Sequence, residues 1–232
     1  MKFLVLFFAL AFTLVKTSAQ DCLGMKFKAG SSYEMLSYSP KDKIIGRMVY
    51  TIKEVKSEGG STLIDVTMQS FDEKDKPSPE MAVRYTCNGN ELIADLSGLL
   101  LATNDGLKDM EVKVKANQLI YPKELGTGSK LPDGNMAAEL YSKGTKMMDM
   151  DFQVVNRAVE GQENLTTPAG QFSVSKINSE INMTNRAMGI PIRATFRSTS
   201  YRASQVLFDI KTETYNKNGK LKGYTVLSKL SQ

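Results

Sequence analysis

The sequence predicts an all-β fold of about ten to thirteen mostly antiparallel strands with one short helix, closed as a barrel or curved half-barrel or, alternatively, packed as a two-sheet sandwich. Three observations predict it. Apolar and polar residues alternate with period two in run after run, most clearly over Ile44–Val55, Thr62–Phe71 and Met81–Cys87. Short turn signals separate the runs: Glu58-Gly59-Gly60, Asn88-Gly89-Asn90, Thr167-Pro168-Ala169-Gly170 and Asn216-Lys217-Asn218-Gly219. Consecutive strands joined by turns this tight can pair only as antiparallel neighbours.

The chain opens with a positive residue, Lys2, an apolar run from Phe3 to Val15, and small or polar residues at Thr17, Ser18 and Ala19. That is the pattern of a Sec-type signal peptide over residues 1–20, and its apolar part is too short to span a bilayer comfortably. Lys16 interrupts the run and argues against a retained anchor. The remaining residues, 21–232, are expected to form one exported β-rich domain, periplasmic or extracellular, with a weak division point near 122–135. No later segment is apolar enough to cross a membrane as a helix. Cys22 and Cys87 are the two cysteines, and in an exported chain without a C-x-x-C motif they are expected to pair. Lipidation at Cys22 is disfavoured, because Asp21 stands where a small residue is wanted.

Met25–Tyr38 reads as two short strands broken at Gly30. Ile44–Val55 and Thr62–Phe71 form a hairpin, with Met48, Tyr50 and Ile52 on one face of the first strand and Ile64, Val66 and Met68 on one face of the second. Asp72–Pro77 is a charged loop. Met81–Cys87 places Val83, Tyr85 and Cys87 together, and a short strand follows from Glu91. Leu96–Met110 is leucine-rich without a period of two, and a short helix is expected near 96–103. Glu111–Tyr121 is a strand, 122–135 a long Gly- and Pro-bearing loop, and Asn135–Leu140 a strand. Phe152–Thr184 reads as two strands around a turn-rich centre holding Gly161 and Thr167–Gly170. Ile190–Arg202, Val206–Tyr215 and Leu221–Leu230 complete the chain.

Composition excludes much chemistry. There is no histidine, which removes Ser-His-Asp and Cys-His nucleophilic sites and the usual zinc and iron ligand sets. No nucleotide-binding glycine motif occurs. The net charge of +5 falls to +3 once Lys2 and Lys16 leave with the leader, too weak a balance to point to nucleic acid. Met148-x-Met150 could hold copper(I), but beside Phe152 on a strand it reads as core filling. Asp149 and Asp151 read as a solvated face. No catalytic residue, metal or cofactor is expected. Two surfaces could meet a partner. One is the Leu99, Leu100, Leu101 cluster. The other is the basic strip of Arg193 and Arg197 with Tyr201 beyond it, which could meet an anionic headgroup or a glycan.

The run Glu163-Asn164-Leu165-Thr166-Thr167-Pro168-Ala169-Gly170-Gln171-Phe172 resembles the E-x-x-T-T-P-A-G-x-F signature of the TapB-like family, small exported bacterial proteins of unknown function. Similar pieces keep family order through most of the mature chain: Tyr121-Pro122 with Leu131-Pro132-Asp133, Asn156-Arg157 with Val159-Glu160-Gly161, and Asn218-Gly219-Lys220-Leu221 with Tyr224-Thr225. Val206-Leu207-Phe208-Asp209-Ile210 departs from the family pattern by lacking a glycine. The resemblance implies an envelope location, antiparallel β architecture, a structural turn at Thr167, Pro168, Ala169, Gly170 and Phe172, and no catalytic residue to carry over.

The expected role is binding an apolar or amphipathic envelope ligand, a lipid or a glycan, without catalysis. The alternative is a structural or assembly component that contacts another envelope protein. A hydrolase working through carboxylates alone is the weakest reading, since no paired-acid motif supports it.

Overall fold

A computed structural model describes residues 21–95, 111–187 and 190–231. Two short strands, β1 (Asp21–Cys22) and β2 (Met25–Lys26), form a hairpin of their own. Twelve more follow: β3 (Ser32–Tyr38), β4 (Ile44–Glu58), β5 (Ser61–Asp72), β6 (Met81–Cys87), β7 (Glu91–Ala94), β8 (Glu111–Pro122), β9 (Gly134–Ser142), β10 (Thr145–Thr167), β11 (Gly170–Ala187), β12 (Ile190–Ala203), β13 (Asp209–Asn216) and β14 (Leu221–Ser231). Each pairs antiparallel with the next in sequence, and β14 pairs back onto β3, so the sheet closes on itself as a ring. The barrel form of the expected fold is therefore the one adopted, rather than the sandwich. No helix occurs among the described residues. The leader at 1–20 and the helix expected near 96–103 lie outside them.

Local chemistry explains the turns. Gly59 and Gly60 both take positive φ, +57° and +82°, which a two-residue hairpin with the right twist requires. Thr167 pairs with Gly170 across Pro168-Ala169, and the Thr167 hydroxyl accepts a hydrogen bond from the Ala169 amide at 3.1 Å. The predicted turn therefore stands. Gly161 does not turn the chain. It sits in a bulge within β10, a strand of 23 residues. A strand that long must bend to stay in a closed sheet, and two register shifts bend it, between Val155 and Ala158 and between Val159 and Gly161. Asn156 carries the first with a φ of 55°, a left-handed conformation asparagine tolerates better than most residues.

In an up-and-down ring the connections alternate between two ends. One end, the rim, carries the β3–β4, β5–β6, β9–β10 and β13–β14 turns. The other, the base, carries the β4–β5, β6–β7, β8–β9, β10–β11 and β12–β13 connections and the N-terminal hairpin. The base is filled. Cys22, Met25 and Phe27 of the N-terminal hairpin are buried there with Val206, Leu207 and Phe208 of the β12–β13 connection. Val206–Phe208 was expected to begin a strand, but β13 starts at Asp209. Successive strand residues point to opposite faces, so three adjacent large apolar residues cannot all reach one interior from a regular strand. Leaving the sheet buries all three.

The disulfide Cys22–Cys87 forms as expected and staples the N-terminal hairpin to the end of β6. With a sequence separation of 65 between the two cysteines, the chain-entropy model assigns the link about 4 kcal/mol. The double variant Cys22→Ser/Cys87→Ser is expected to lose a few kcal/mol in urea unfolding followed by far-UV circular dichroism. Leu207→Ala, which leaves a hole in the plug, is expected to cost about 2–5 kcal/mol in the same experiment.

Candidate functional site

The strand registers place one face of each strand toward the ring interior. Met35 pairs with Met48 and Tyr33 with Tyr50, Tyr85 pairs with Ala94, and Ala94 and Leu92 pair with Leu119 and Tyr121. Above the plug these inward side chains line a partly open cavity of about 180 Å³. Its apolar wall includes Met35, Met48, Leu119 and Phe208. Its polar lining includes Tyr50, Tyr85, Tyr121, Arg202, Asp209, Thr212 and Thr225, interleaved with the apolar residues.

A buried charged group holds the polar side in place. The Arg202 guanidinium lies 3.9 Å from the centre of the Tyr121 ring, and Arg157 approaches the same ring at 4.8 Å. Arg202 donates through Nη1 to Asp209 Oδ1 at 3.1 Å and through Nη2 to the Leu207 carbonyl at 3.0 Å. It thereby ties the sheet to the plug. Arg157 donates to the carbonyls of Ile120 at 2.7 Å and Pro132 at 2.6 Å, tying β10 to β8 and to the 123–133 loop. Among the described residues Arg157 has no carboxylate partner, and burial pushes its pKa down. Two guanidiniums and one carboxylate thus surround Tyr121.

The three phenols differ in how well they are satisfied. Tyr121 shares a hydrogen bond with Arg157. Tyr50 reaches only the Met48 sulfur at 3.8 Å, a weak acceptor. The Tyr85 hydroxyl has no hydrogen-bond partner among the described residues, although its ring packs edge-on against Phe208 at 5.7 Å. Burial, and then the Asp209 charge, pushes Tyr50 and Tyr121 up to about 12. Tyr85 is pushed higher still, by burial first and then by Tyr50.

Among the described residues, the inward face is less tightly buried toward the rim. Met150 and Phe152 of β10 pack against the small buried cluster of Ala94, Met136 and Ala138. Met183, Ala194 and Phe196 share that inward face through the β10–β11–β12 register, and all are half-buried. The Met148-x-Met150 pair accordingly lies on an apolar wall. A second, larger cleft of about 400 Å³ lies at the base between the N-terminal hairpin and residues 122–126. There Ser175 and Gln162 both donate to the Leu125 carbonyl.

None of the surface residues singled out from sequence lines the cavity. Arg193 and Arg197 are exposed on the outer face, opposite Thr184 and Glu180 of β11. Tyr201 does not extend that strip: it is 7% exposed, and its hydroxyl donates to Glu213 at 3.3 Å. Its ring is covered where Lys211 reaches across it. Leu99, Leu100 and Leu101 lie outside the described residues. Sequence reasoning did set Tyr50 and Tyr85 on faces shared with apolar neighbours. It gave no sign that Tyr121, Arg157, Arg202 and Asp209 would meet them.

A testable consequence follows from the phenols. Tyr50, Tyr85 and Tyr121 hold their protons in the folded chain above the ordinary value of about 10. The unfolded chain therefore releases these protons first, and stability is lost as pH rises from about 10 to about 12. Phenolate absorbance is expected to show a late-titrating set in the folded protein. Tyr121→Phe should remove part of it, and urea unfolding should show stability declining through that window.

Two solved structures share this architecture. A protein described as a candidate lipoprotein of Parabacteroides distasonis superposes with a TM-score of 0.69 at 19% identity, covering 91% of this chain and all of that one. An exported protein with a YmcC-like fold from Bacteroides fragilis superposes with a TM-score of 0.65 at 19% identity, covering 90% of this chain and 98% of that one. No curated protein matches the sequence. The DUF3108-like family model matches residues 28–227, which takes in the whole ring from β3 into β14, both buried arginines and all three cavity phenols, and the chain belongs to that family.

Proposed function

We propose that this protein is an exported, non-catalytic binding module that takes an amphipathic envelope ligand, a lipid or a glycan, into the interior of its ring. The observation that carries the reading is the cavity above the plug, lined by both apolar and polar side chains, with a half-buried apolar surface between it and the rim. Ligand sites are concave and mostly apolar, with a few fixed polar groups that set orientation. The Sec-type leader and an envelope location fit the description of both structural neighbours as exported or lipoprotein-like. Lipid anchoring through Cys22 does not fit this chain, because its sulfur is bonded to Cys87. Within the DUF3108-like family, the T-T-P-A-G turn is our ground for placing the chain in the TapB-like group.

A second reading rests on a separate observation. Ile44, Ile45, Ile190 and Ile192 are all exposed, and all lie at strand ends next to the rim. Such a rim could instead seat another envelope protein, making the ring an assembly component.

Native mass spectrometry of the mature chain, purified gently from a bacterial envelope beside its organic extract, separates the two. A reproducible added mass that matches an extracted lipid or glycan is the expected result. A clean unliganded mass across several detergents, together with one cross-linked protein at the rim in intact envelopes, would replace binding with assembly.

A further inference from the structure

We infer that the polar wall of the cavity is a receptor for the anionic, carboxylate-type head of a single-chain amphiphile, which enters head-first and leaves its tail along the apolar wall toward the rim. This inference rests on the binding reading above and narrows it to a ligand class and an orientation.

Charge comes first. The charged side chains acting on Tyr50, Tyr85 and Tyr121 are Arg157, Arg202 and Asp209. Arg202 and Asp209, both in the cavity lining, offset each other at 3.1 Å. Arg157 stands beside Tyr121 outside the lining and adds a positive charge that has no carboxylate partner among the described residues. Arg157 and Arg202 are only 3% and 7% exposed. An uncompensated buried cation is costly, and an entering anion would offset that cost. Hydrogen bonding comes second. The Tyr85 hydroxyl has no partner among the described residues, and the Tyr50 hydroxyl has only a sulfur at 3.8 Å. Both line the same cavity as Arg202. Buried polar groups are nearly always paired, so two poorly satisfied donors facing one space call for an acceptor in it. Size comes third. About 180 Å³ is below the roughly 300 Å³ at which sites for whole drug-sized ligands begin, so this space takes a head and not a whole amphiphile. The remainder must lie where the inward surface is apolar and half-open, along Met150, Phe152, Met183 and Phe196. The gradient from a donor-lined floor beside the two arginines to the apolar surface of Met150, Phe152, Met183 and Phe196 fixes the orientation.

The test is calorimetric titration of the mature, disulfide-bonded chain with three probes of equal tail length, each below its micelle concentration: dodecanoate, dodecanol and dodecyltrimethylammonium. Dodecanoate is expected to bind at least tenfold more tightly than dodecanol, and the ammonium probe more weakly than either. Tyr50→Phe and Tyr85→Phe, checked for unchanged thermal unfolding, are each expected to cut the preference for dodecanoate over dodecanol about tenfold. That is what one hydrogen bond to a charged group is worth. Equal binding of all three probes would overturn the head-first anion site while leaving the amphiphile-binding reading intact. Binding of none of them, with no lipid carried from the envelope, would overturn both. An intact preference in both tyrosine variants would overturn the assignment of the donors.

Discussion

Closing twelve strands into one ring creates a space that the ring's own side chains cannot fill. Eight strands leave an interior just wide enough for side chains or one small ligand. A wider ring must be plugged, collapsed or occupied. Here the base is plugged from three places in the chain: the N-terminal hairpin, the Val206–Phe208 excursion and the loop at 123–133. Each is anchored by a different device. The first is held by a covalent bond to Cys87, the second by Arg202 donating to Leu207, and the third by Arg157 donating to Pro132. Nothing comparable fills the upper interior among the described residues.

The two arginines therefore have two jobs on opposite sides of one aromatic ring system. Outward from Tyr121 they satisfy backbone carbonyls that the plug would otherwise leave buried without donors. Toward the cavity Arg202 reaches the lining, paired with Asp209, and Arg157 stands beside Tyr121, so positive charge gathers next to the phenols. The first job explains why guanidinium is used and not ammonium. A planar fork can stack on Tyr121 while bonding two carbonyls, or a carbonyl and a carboxylate, in directions a lysine could not hold at once. The second job follows from the first without further residues.

Much of the ring was legible in the sequence, and for a local reason. Alternation such as Met48, Tyr50, Ile52 against Ile64, Val66, Met68 reports on one strand and its neighbour, and Gly59-Gly60 or Thr167–Gly170 reports on one turn. The site was not legible, because it is assembled from β4, β6, β8, β12 and β13, whose meeting depends on closure. Arg157 was hidden for another reason. It follows a bulge at Asn156, and a bulge changes which face a side chain takes, so counting by twos through β10 gives the wrong answer there. Gly161 misled in the same way, resembling a turn where the strand only bends. Val206–Phe208 defeated the opposite habit, since a continuous apolar run also describes a segment leaving the sheet. Arg193 and Arg197 were placed on the right face, but alternation alone could not tell that Tyr201, on the same face, would be roofed over.

The ring closes where the chain's first long strand meets its last: Ser32 lies opposite Ser231 and Tyr33 opposite Leu230. Every other pairing in the ring joins consecutive strands and can form as soon as a hairpin has emerged. This one must wait for the final residues to arrive. Until then β3 and a growing meander edge both present unpaired amide and carbonyl groups, the arrangement most prone to pairing with another molecule. Topologies dominated by contacts distant in sequence also fold slowly. β3 is the first strand of the ring in chain order and the longest to remain open. Its protection until then is a matter of timing, and a chain shortened within β14 would leave the ring open at this seam.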